Sequence, residues 1–306
     1  MSIACRRIWV DGTLTAWENA TLHVLSQSAA RGSLVFDVMS CHWLPGGPAV
    51  FGLREHIERF VRSAELSGME LPVGVDELIR GVSDTVRANP GAEIVKVNAY
   101  YAGISIDVLP REALATVAIA AFSLGDITPT PPRSPRAPAR LQIPDPRKQP
   151  PWVMSPQAKL AAGYLYASVA KARARTDGFD DILLLDERGN LAESATMSFF
   201  LVKDGALLVP PLDYVLAGVT RRVVLELAQA EGVPILERPI PRDAIQTAAE
   251  AFLAGTTVSV WPVADIDAHK FPEPVPGPVT AALGGRLEAL LAGEDAELSP
   301  RWMQEV

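Results

Sequence analysis

At 306 residues, 48% hydrophobic and 21% charged, the chain is long enough for two domains and apolar enough to give each a core, which excludes a wholly disordered protein. A net charge of -8 argues against a nucleic-acid or anionic-membrane partner, and no run is long and apolar enough to span a bilayer. Two cysteines, Cys5 and Cys41, are too few for a disulfide framework or a structural zinc site, and no long apolar run follows the first basic residues, so a cytoplasmic location is expected.

In chain order, residues 6–14 read as two short strands about an Asp11-Gly12 turn. Residues 34–43 read as another strand, closed by the Pro-Gly-Gly turn at 45–47. The spacing of Ile57, Phe60, Val61, Ala64 and Leu66 predicts an amphipathic helix over 53–66, and Leu78, Ile79, Val82 and Val86 predict a second over 75–87. Strands follow at 94–101 and 115–122. Ten prolines then fall between Pro129 and Pro156, with Arg133, Arg136, Arg140 and Arg147 among them. Such a stretch is a linker or a loop that closes over an anion, and in either case a domain boundary. The expected organisation is therefore a small domain over 1–126, a loop over 127–156 and a second domain over 157–306.

Beyond the boundary a long helix is expected over 157–177, opening at Pro156. Strands are expected at 181–186, 198–203 and 206–209, and a helix over 220–231 stopped by Gly232. A strand at 235–240, a helix at 242–249, a short strand at 251–254 running into Gly255 and a helix over 280–291 complete the reading. The last fifteen residues are too polar to assign.

Among the six lysines, Lys159 has the most apolar and small neighbours, which lowers an amine's pKa and favours its nucleophilic form, although a solvated lysine with a buried stem has the same pattern. Glu193 follows a turn and precedes small hydroxyl residues, where a carboxylate could meet a ring nitrogen or simply face water. Arg59 lies beside the apolar face of the first helix and could equally pair with Glu55. Gly218-Val219-Thr220-Arg221 opens a helix, where free amides and the dipole suit a phosphate, or where Thr220 is a plain cap. Gly255-Thr256-Thr257 ends a strand and offers two hydroxyls. His23, His42, His56 and His269 have no metal-ligand spacing, so no metal is expected, and no Walker loop, dinucleotide fingerprint or Gly-x-Ser-x-Gly occurs.

From Trp9-Val10-Asp11-Gly12 and Leu22-His23-Val24-Leu25, through the helix at 53–66, to Lys159, Leu184-Leu185-Asp186, Gly189, Glu193 and residues 200–205, the chain resembles the class IV aminotransferases. The resemblance implies an α/β, two-domain enzyme of fold type IV, with a smaller N-terminal domain and a larger C-terminal domain of mixed sheet or barrel. It implies pyridoxal 5'-phosphate as cofactor, held as a Schiff base by Lys159. Glu193 would bind the pyridine nitrogen and Tyr164 the phenolic oxygen. Arg59, the amides of Val219 and Thr220, and Thr256 would hold the phosphate, in a homodimer or higher homo-oligomer. A lyase that releases pyruvate from the same lysine is the alternative activity, and a catalytically silent binding protein a further one.

The substrate positions depart from the branched-chain pattern. Arg31 stands where a tyrosine is usual, and Val95-Lys96-Val97 replaces a Tyr-x-Arg strand motif. The segment after the cofactor glutamate is Ala195-Thr196-Met197-Ser198. A branched-chain amino acid is therefore not the expected substrate. Either Arg31 points into the cleft and binds a substrate carboxylate, or it pairs with Asp37 or Glu18 and leaves an apolar pocket of Phe36, Val97, Tyr100 and Thr257.

Overall fold

The computed structural model describes residues 3–110, 114–128, 137–145 and 147–306. The first strands are Arg7–Val10 (β1), Thr13–Ala16 (β2), Leu34–Leu44 (β3), Gly47–Phe51 (β4), Ile94–Tyr100 (β5) and Thr116–Phe122 (β6). Next come Ala139–Gln142 (β7), Asp181–Leu185 (β8), Asn190–Ser194 (β9), Ser198–Lys203 (β10), Ala206–Val209 (β11), Ile235–Glu237 (β12) and Ile240–Pro241 (β13). Glu250–Gly255 (β14), Ser259–Ile266 (β15), His269–Lys270 (β16) and Met303–Glu305 (β17) complete them. The helices are Gln27–Arg31 (α1), Leu53–Leu66 (α2), Val75–Ala88 (α3), Leu124–Ile127 (α4), Tyr164–Thr176 (α5), Val219–Ala230 (α6), Pro278–Leu291 (α7) and Ser299–Trp302 (α8). Among the described residues, no helix is long and apolar enough to cross a membrane.

The chain divides into two compact units: Met1–Pro132 with Ala158–Ala162 and Leu290–Val306, and Arg133–Gln157 with Gly163–Ala289. Two expected boundaries shift accordingly. The short stretch about Lys159 and the C-terminal residues belong with the first unit, while the described part of the proline-rich stretch belongs with the second.

In the first unit the sheet runs β17-β4-β3-β5-β6-β1-β2 with every pair antiparallel. The Asp11-Gly12 turn takes positive φ at both residues, the geometry a two-residue hairpin needs to match strand twist. Period-two alternation sends Val35 and Met39 of β3, Val95, Val97 and Ala99 of β5, and Val117 and Ile119 of β6 into one core with the helices. Ile57 and Phe60 of α2 and Leu78 and Val82 of α3 fill it from the helical side, each without exposed surface. A full burial of that kind contributes roughly 1.5–3 kcal/mol per large side chain. Gly81 sets the approach of α3: a Cβ there would lie 2.9 Å from Ile119 Cδ1 and 3.1 Å from the Trp9 ring. The polar C-terminus is ordered by one anchor, the fully buried Trp302, ahead of β17 on β4.

In the second unit the strands run β12-β11-β10-β14-β15-β7-β8-β9-β13. Because β9 also pairs with β10, the path β10-β14-β15-β7-β8-β9 closes on itself as a barrel of six strands. Strand β7, inside the proline- and arginine-rich stretch, lies parallel to both β15 and β8, so this part of the expected loop is a barrel stave. Arg133 and Arg136 lie outside the described residues. Met197, Phe199, Leu201, Leu253, Trp261 and Val263 fill the core of the unit, and α5 lays Ala167, Ala170 and Ala174 against Ile182 and Leu184.

The long helix expected over 157–177 is the largest departure. Helix α5 begins only at Tyr164, after a 3-10 turn at Ala161–Gly163. Upstream, the backbone of Lys159 donates to Ser63 Oγ at 3.0 Å and accepts from Phe36 N at 3.1 Å, and Leu160 bridges Val35. Long-range partners take the hydrogen bonds a helix would have used.

Candidate functional site

In the first unit Lys159 leaves this extended segment beside β3 and α2. Its Nζ lies 5.2 Å from the centroid of the half-buried Phe36 ring. Ser63, which accepts from the Lys159 amide, also donates to the Arg59 carbonyl at 2.8 Å, so one hydroxyl on α2 ties the lysine backbone to the arginine one turn earlier.

Arg59 pairs with Asp37, not with Glu55. Its Nε donates to Asp37 Oδ2 at 2.9 Å and its Nη2 to Oδ1 at 2.8 Å, a fork-on-carboxylate contact that holds the guanidinium plane. Asp37 has no exposed side-chain surface and also accepts from Val38 N and from His56 Nδ1, the latter at 2.7 Å. Burial alone would raise the carboxyl pKa, but the charge of Arg59 and the hydrogen bonds from Arg59 and His56 outweigh it and hold Asp37 well below the usual carboxylate range. Burial pushes the His56 pKa down, which leaves the ring neutral. Facing a carboxylate, its proton sits on Nδ1, so the buried, unpartnered Nε2 is a bare lone pair and not a stranded N–H. Sequence reasoning set His56 aside for want of a metal-like partner. Its i,i+3 spacing to Arg59 on one helix face was the available signal.

Arg31 does not pair with Asp37. It ends α1 on an exposed turn and donates from Nη2 to the Ile106 carbonyl at 3.1 Å. Val97 is also displaced from its expected role: it lies opposite Asp37 in the β3–β5 ladder and is fully buried in the core against the helices. The opposite face carries Phe36, Lys96, Asn98 and Tyr100, none of them fully buried. Burial lowers the Lys96 pKa, and burial together with the charge of Asp11 raises that of Tyr100.

In the second unit Glu193 belongs to β9, a strand absent from the sequence reading, and its backbone pairs with Ser198 of β10. Its Oε1 receives the ammonium of Lys148 and its Oε2 accepts from Leu216 N at 3.3 Å. Lys148 is itself held by its amide, which donates to the Leu185 carbonyl at 2.8 Å.

Helix α6 opens at Val219 with no side-chain cap from Gly218, so the first amides of Val219, Thr220 and Arg221 have no intrahelical acceptor. Thr220 Oγ1 is buried and has no hydrogen-bond partner, a cost of about 1–3 kcal/mol for a neutral group. A Cβ at Gly218 would meet Ser198 Oγ at 2.9 Å and Arg221 Cβ at 3.2 Å, and one at Gly255 would meet Met197 Cγ at 2.8 Å, so a side chain at either position would displace its neighbour. Thr256 follows Gly255 at the end of β14, half-buried, and Thr257 is exposed. Tyr164 is the first residue of α5. Gln157 was missed from sequence: its Nε2 donates to the Leu212 and Val215 carbonyls and its Oε1 accepts from Ala217 N at 3.1 Å, which pins the loop into α6. Nothing local in the sequence marks it, because its partners lie more than fifty residues away.

A buried lone hydroxyl, an uncapped helix start at residues 219–221 and two closely packed glycines form a cradle for a compact anion with several acceptor oxygens. A phosphate monoester fits that donor set.

The profile of the amino-transferase class IV family matches residues 34–266. The chain is 29% identical over 305 residues to a branched-chain-amino-acid aminotransferase of Pseudomonas aeruginosa, covering 99% of this chain and 98% of that protein. Among solved structures it is similar to the branched-chain aminotransferase of Thermoproteus uzoniensis with norvaline, with a TM-score of 0.89 at 31% identity and 98% of each chain covered. The T.th. branched-chain amino acid aminotransferase complexed with N-(5'-phosphopyridoxyl)-L-glutamate gives a TM-score of 0.91 at 30% identity, with 99% of each chain covered.

Proposed function

The chain belongs to the class IV aminotransferases, pyridoxal-phosphate-dependent transaminases of fold type IV, and from this premise we propose that it moves an amino group between an amino acid or amine donor and a keto acid, with Lys159 as the lysine that carries the cofactor. The cofactor supplies an aldehyde for covalent attachment and an electron-withdrawing ring beside the carbon that loses its proton. The single observation that carries the assignment of residues is the partnerless buried hydroxyl of Thr220 at an uncapped helix start.

In this reading Arg59, the amides of Val219 and Thr220, and Thr256 hold the phosphate. Asp37 and His56 act behind Arg59: the carboxylate fixes the guanidinium plane, and the neutral imidazole adds no competing positive charge. Glu193 accepts a hydrogen bond from the protonated ring nitrogen, steadied by Lys148 and the Leu216 amide. Tyr164 donates to the phenolic oxygen. Lys159 Nζ takes the α-proton from the donor and returns it during transfer, and the Phe36 ring beneath it limits water at the amine.

We place the substrate outside the standard branched-chain amino acids, because the strand face that carries Phe36 also carries Lys96, Asn98 and Tyr100. A homodimer is part of the proposal. Ile106, Val108 and Leu109 are 95%, 74% and 71% exposed, with Val24 and Leu25 also open, an apolar surface that a second copy of this chain would cover. Arg31, bonded to the Ile106 carbonyl, belongs to that surface.

The test is attachment. Reduction of the cofactor-loaded protein with borohydride, followed by peptide mapping, is expected to place the pyridoxyl label on Lys159; a label on another lysine, or none, rejects the assignment. Conversion of a donor to its keto acid with formation of pyridoxamine phosphate checks the reaction class.

A further inference from the structure

We propose that Lys96 is the specificity-determining cation of this enzyme: its ammonium receives a carboxylate of the substrate, so that carboxylated donors and acceptors are preferred over plain amines. The inference deepens the transaminase reading and rests on Lys159 being the cofactor lysine.

Three observations carry it. The first is direction. The β3–β5 register pairs Phe36 with Asn98 and Val38 with Lys96, while Val35, Met39, Val95, Val97 and Ala99 are core residues against the helices. Strand alternation therefore sends Lys96 and Asn98 to the face of Phe36.

The second is distance. Lys96 Nζ and Lys159 Nζ each lie 5.2 Å from the centroid of the same Phe36 ring, so the two nitrogens are at most twice that distance apart. A substrate carbon within reach of the Lys159 amine places a carboxylate one bond away, or a few bonds away in a dicarboxylic acid, inside that span.

The third is charge. Lys96 is half-buried and makes no ion pair among the described residues; its ring contact satisfies only part of an ammonium. Burial depresses its pKa, and no neighbouring carboxylate opposes that shift. Arg31, the other cation of this unit expected at the substrate, is engaged elsewhere, at the Ile106 carbonyl.

The experiment uses the holoenzyme of wild type, Lys96→Met, Lys96→Arg and Arg31→Ala. Valerate binding is measured by calorimetry, and kcat/KM is compared for norvaline, glutamate and 2-aminopentane, which replaces the norvaline carboxylate by a methyl group. Loss of a charged hydrogen bond predicts valerate affinity roughly 10- to 100-fold weaker in Lys96→Met, and an equal fall in the norvaline-to-2-aminopentane ratio where the amine turns over. Lys96→Arg recovers most of both, which separates a lost charge from a damaged fold. If valerate binding holds and only glutamate suffers, the contact is to the side-chain carboxylate and the proposal stands in that form. Unchanged binding and ratios in Lys96→Met, or a larger fall in Arg31→Ala, overturns it. The cofactor absorption band of each variant is read alongside: no band in wild type rejects the transaminase reading, whereas a band with unaltered carboxylate preference rejects Lys96 alone. A borohydride label found on Lys96 rejects both.

Discussion

The two units meet the same requirement, a place for negative charge, with different materials. The first uses buried side-chain charge: Asp37, Arg59 and His56, with three of the four hydrogen bonds to Asp37 donated by side chains of α2. The second uses backbone: amides at the uncapped start of α6, a hydroxyl with no partner and glycines that permit close approach. A charged cluster is self-satisfied and sustains the fold with or without a ligand. An open helix end leaves amides without a partner in the chain, which a ligand can take up. Substitutions in the Asp37 cluster should therefore lower stability, and those at the open start of α6 should lower affinity at little cost to stability.

The largest effect lies outside this contrast and calibrates it. Lys159→Ala should reduce kcat by roughly 10³-fold or more, since it removes the proton-carrying amine, with a circular dichroism spectrum like that of wild type. Asp37→Asn then tests the charged cluster. It leaves Arg59 without its carboxylate in a nearly closed site and should cost about 3–5 kcal/mol in urea unfolding. A loss below about 1 kcal/mol would dissolve the distinction between the units.

Thr220→Val tests the other side. It removes a buried hydroxyl with no partner, so apo stability should hold or rise slightly, while the pyridoxal phosphate Kd rises about tenfold for one neutral hydrogen bond. Equal losses in stability and affinity would contradict the reading.

The smallest effect is in pH. The folded-state pKa of Asp37 is depressed, so its contribution is fully present above the unfolded value of about 3.9 and is lost as pH falls from there towards the folded value. The stability gap between wild type and Asp37→Asn should stay flat from pH 7 to about 4 and narrow only below. Narrowing near pH 6 would point to His56 as the titrating group.

Much of the fold was legible because its signals are local. Asp11-Gly12 announces a hairpin, and the apolar spacing of Ile57, Phe60 and Ala64 a helix with the bounds seen in α2. What was not legible depends on partners far along the chain. The segment about Lys159 has helical composition, yet Ser63 and Phe36 claim its backbone. Strand β7 hides among prolines and arginines because its neighbours on both sides supply the pairing. The alternation of β5 was readable, but which of its faces met the helices was not, so Val97 was placed on the substrate side and Lys96 was left without a role. Within the candidate site, residues with distinctive chemistry, Lys159, Glu193 and Arg59, stood out from their neighbours. His56 and Gln157, which hold other groups in place, did not.

The barrel closes at a telling position. The register that joins β9 to β10 is the pair Ser198–Glu193, so the residue we propose for the cofactor ring nitrogen also lies at the seam of the barrel, where the Ser194 amide donates to the Met197 carbonyl at 2.9 Å. Backbone and side chain at residue 193 thus answer to separate demands. Glutamine or alanine at 193 is expected to change the proposed contact to the ring and to leave the Ser194–Met197 seam bond whole; the position offers engineers a dial that turns electronic character without loosening the scaffold.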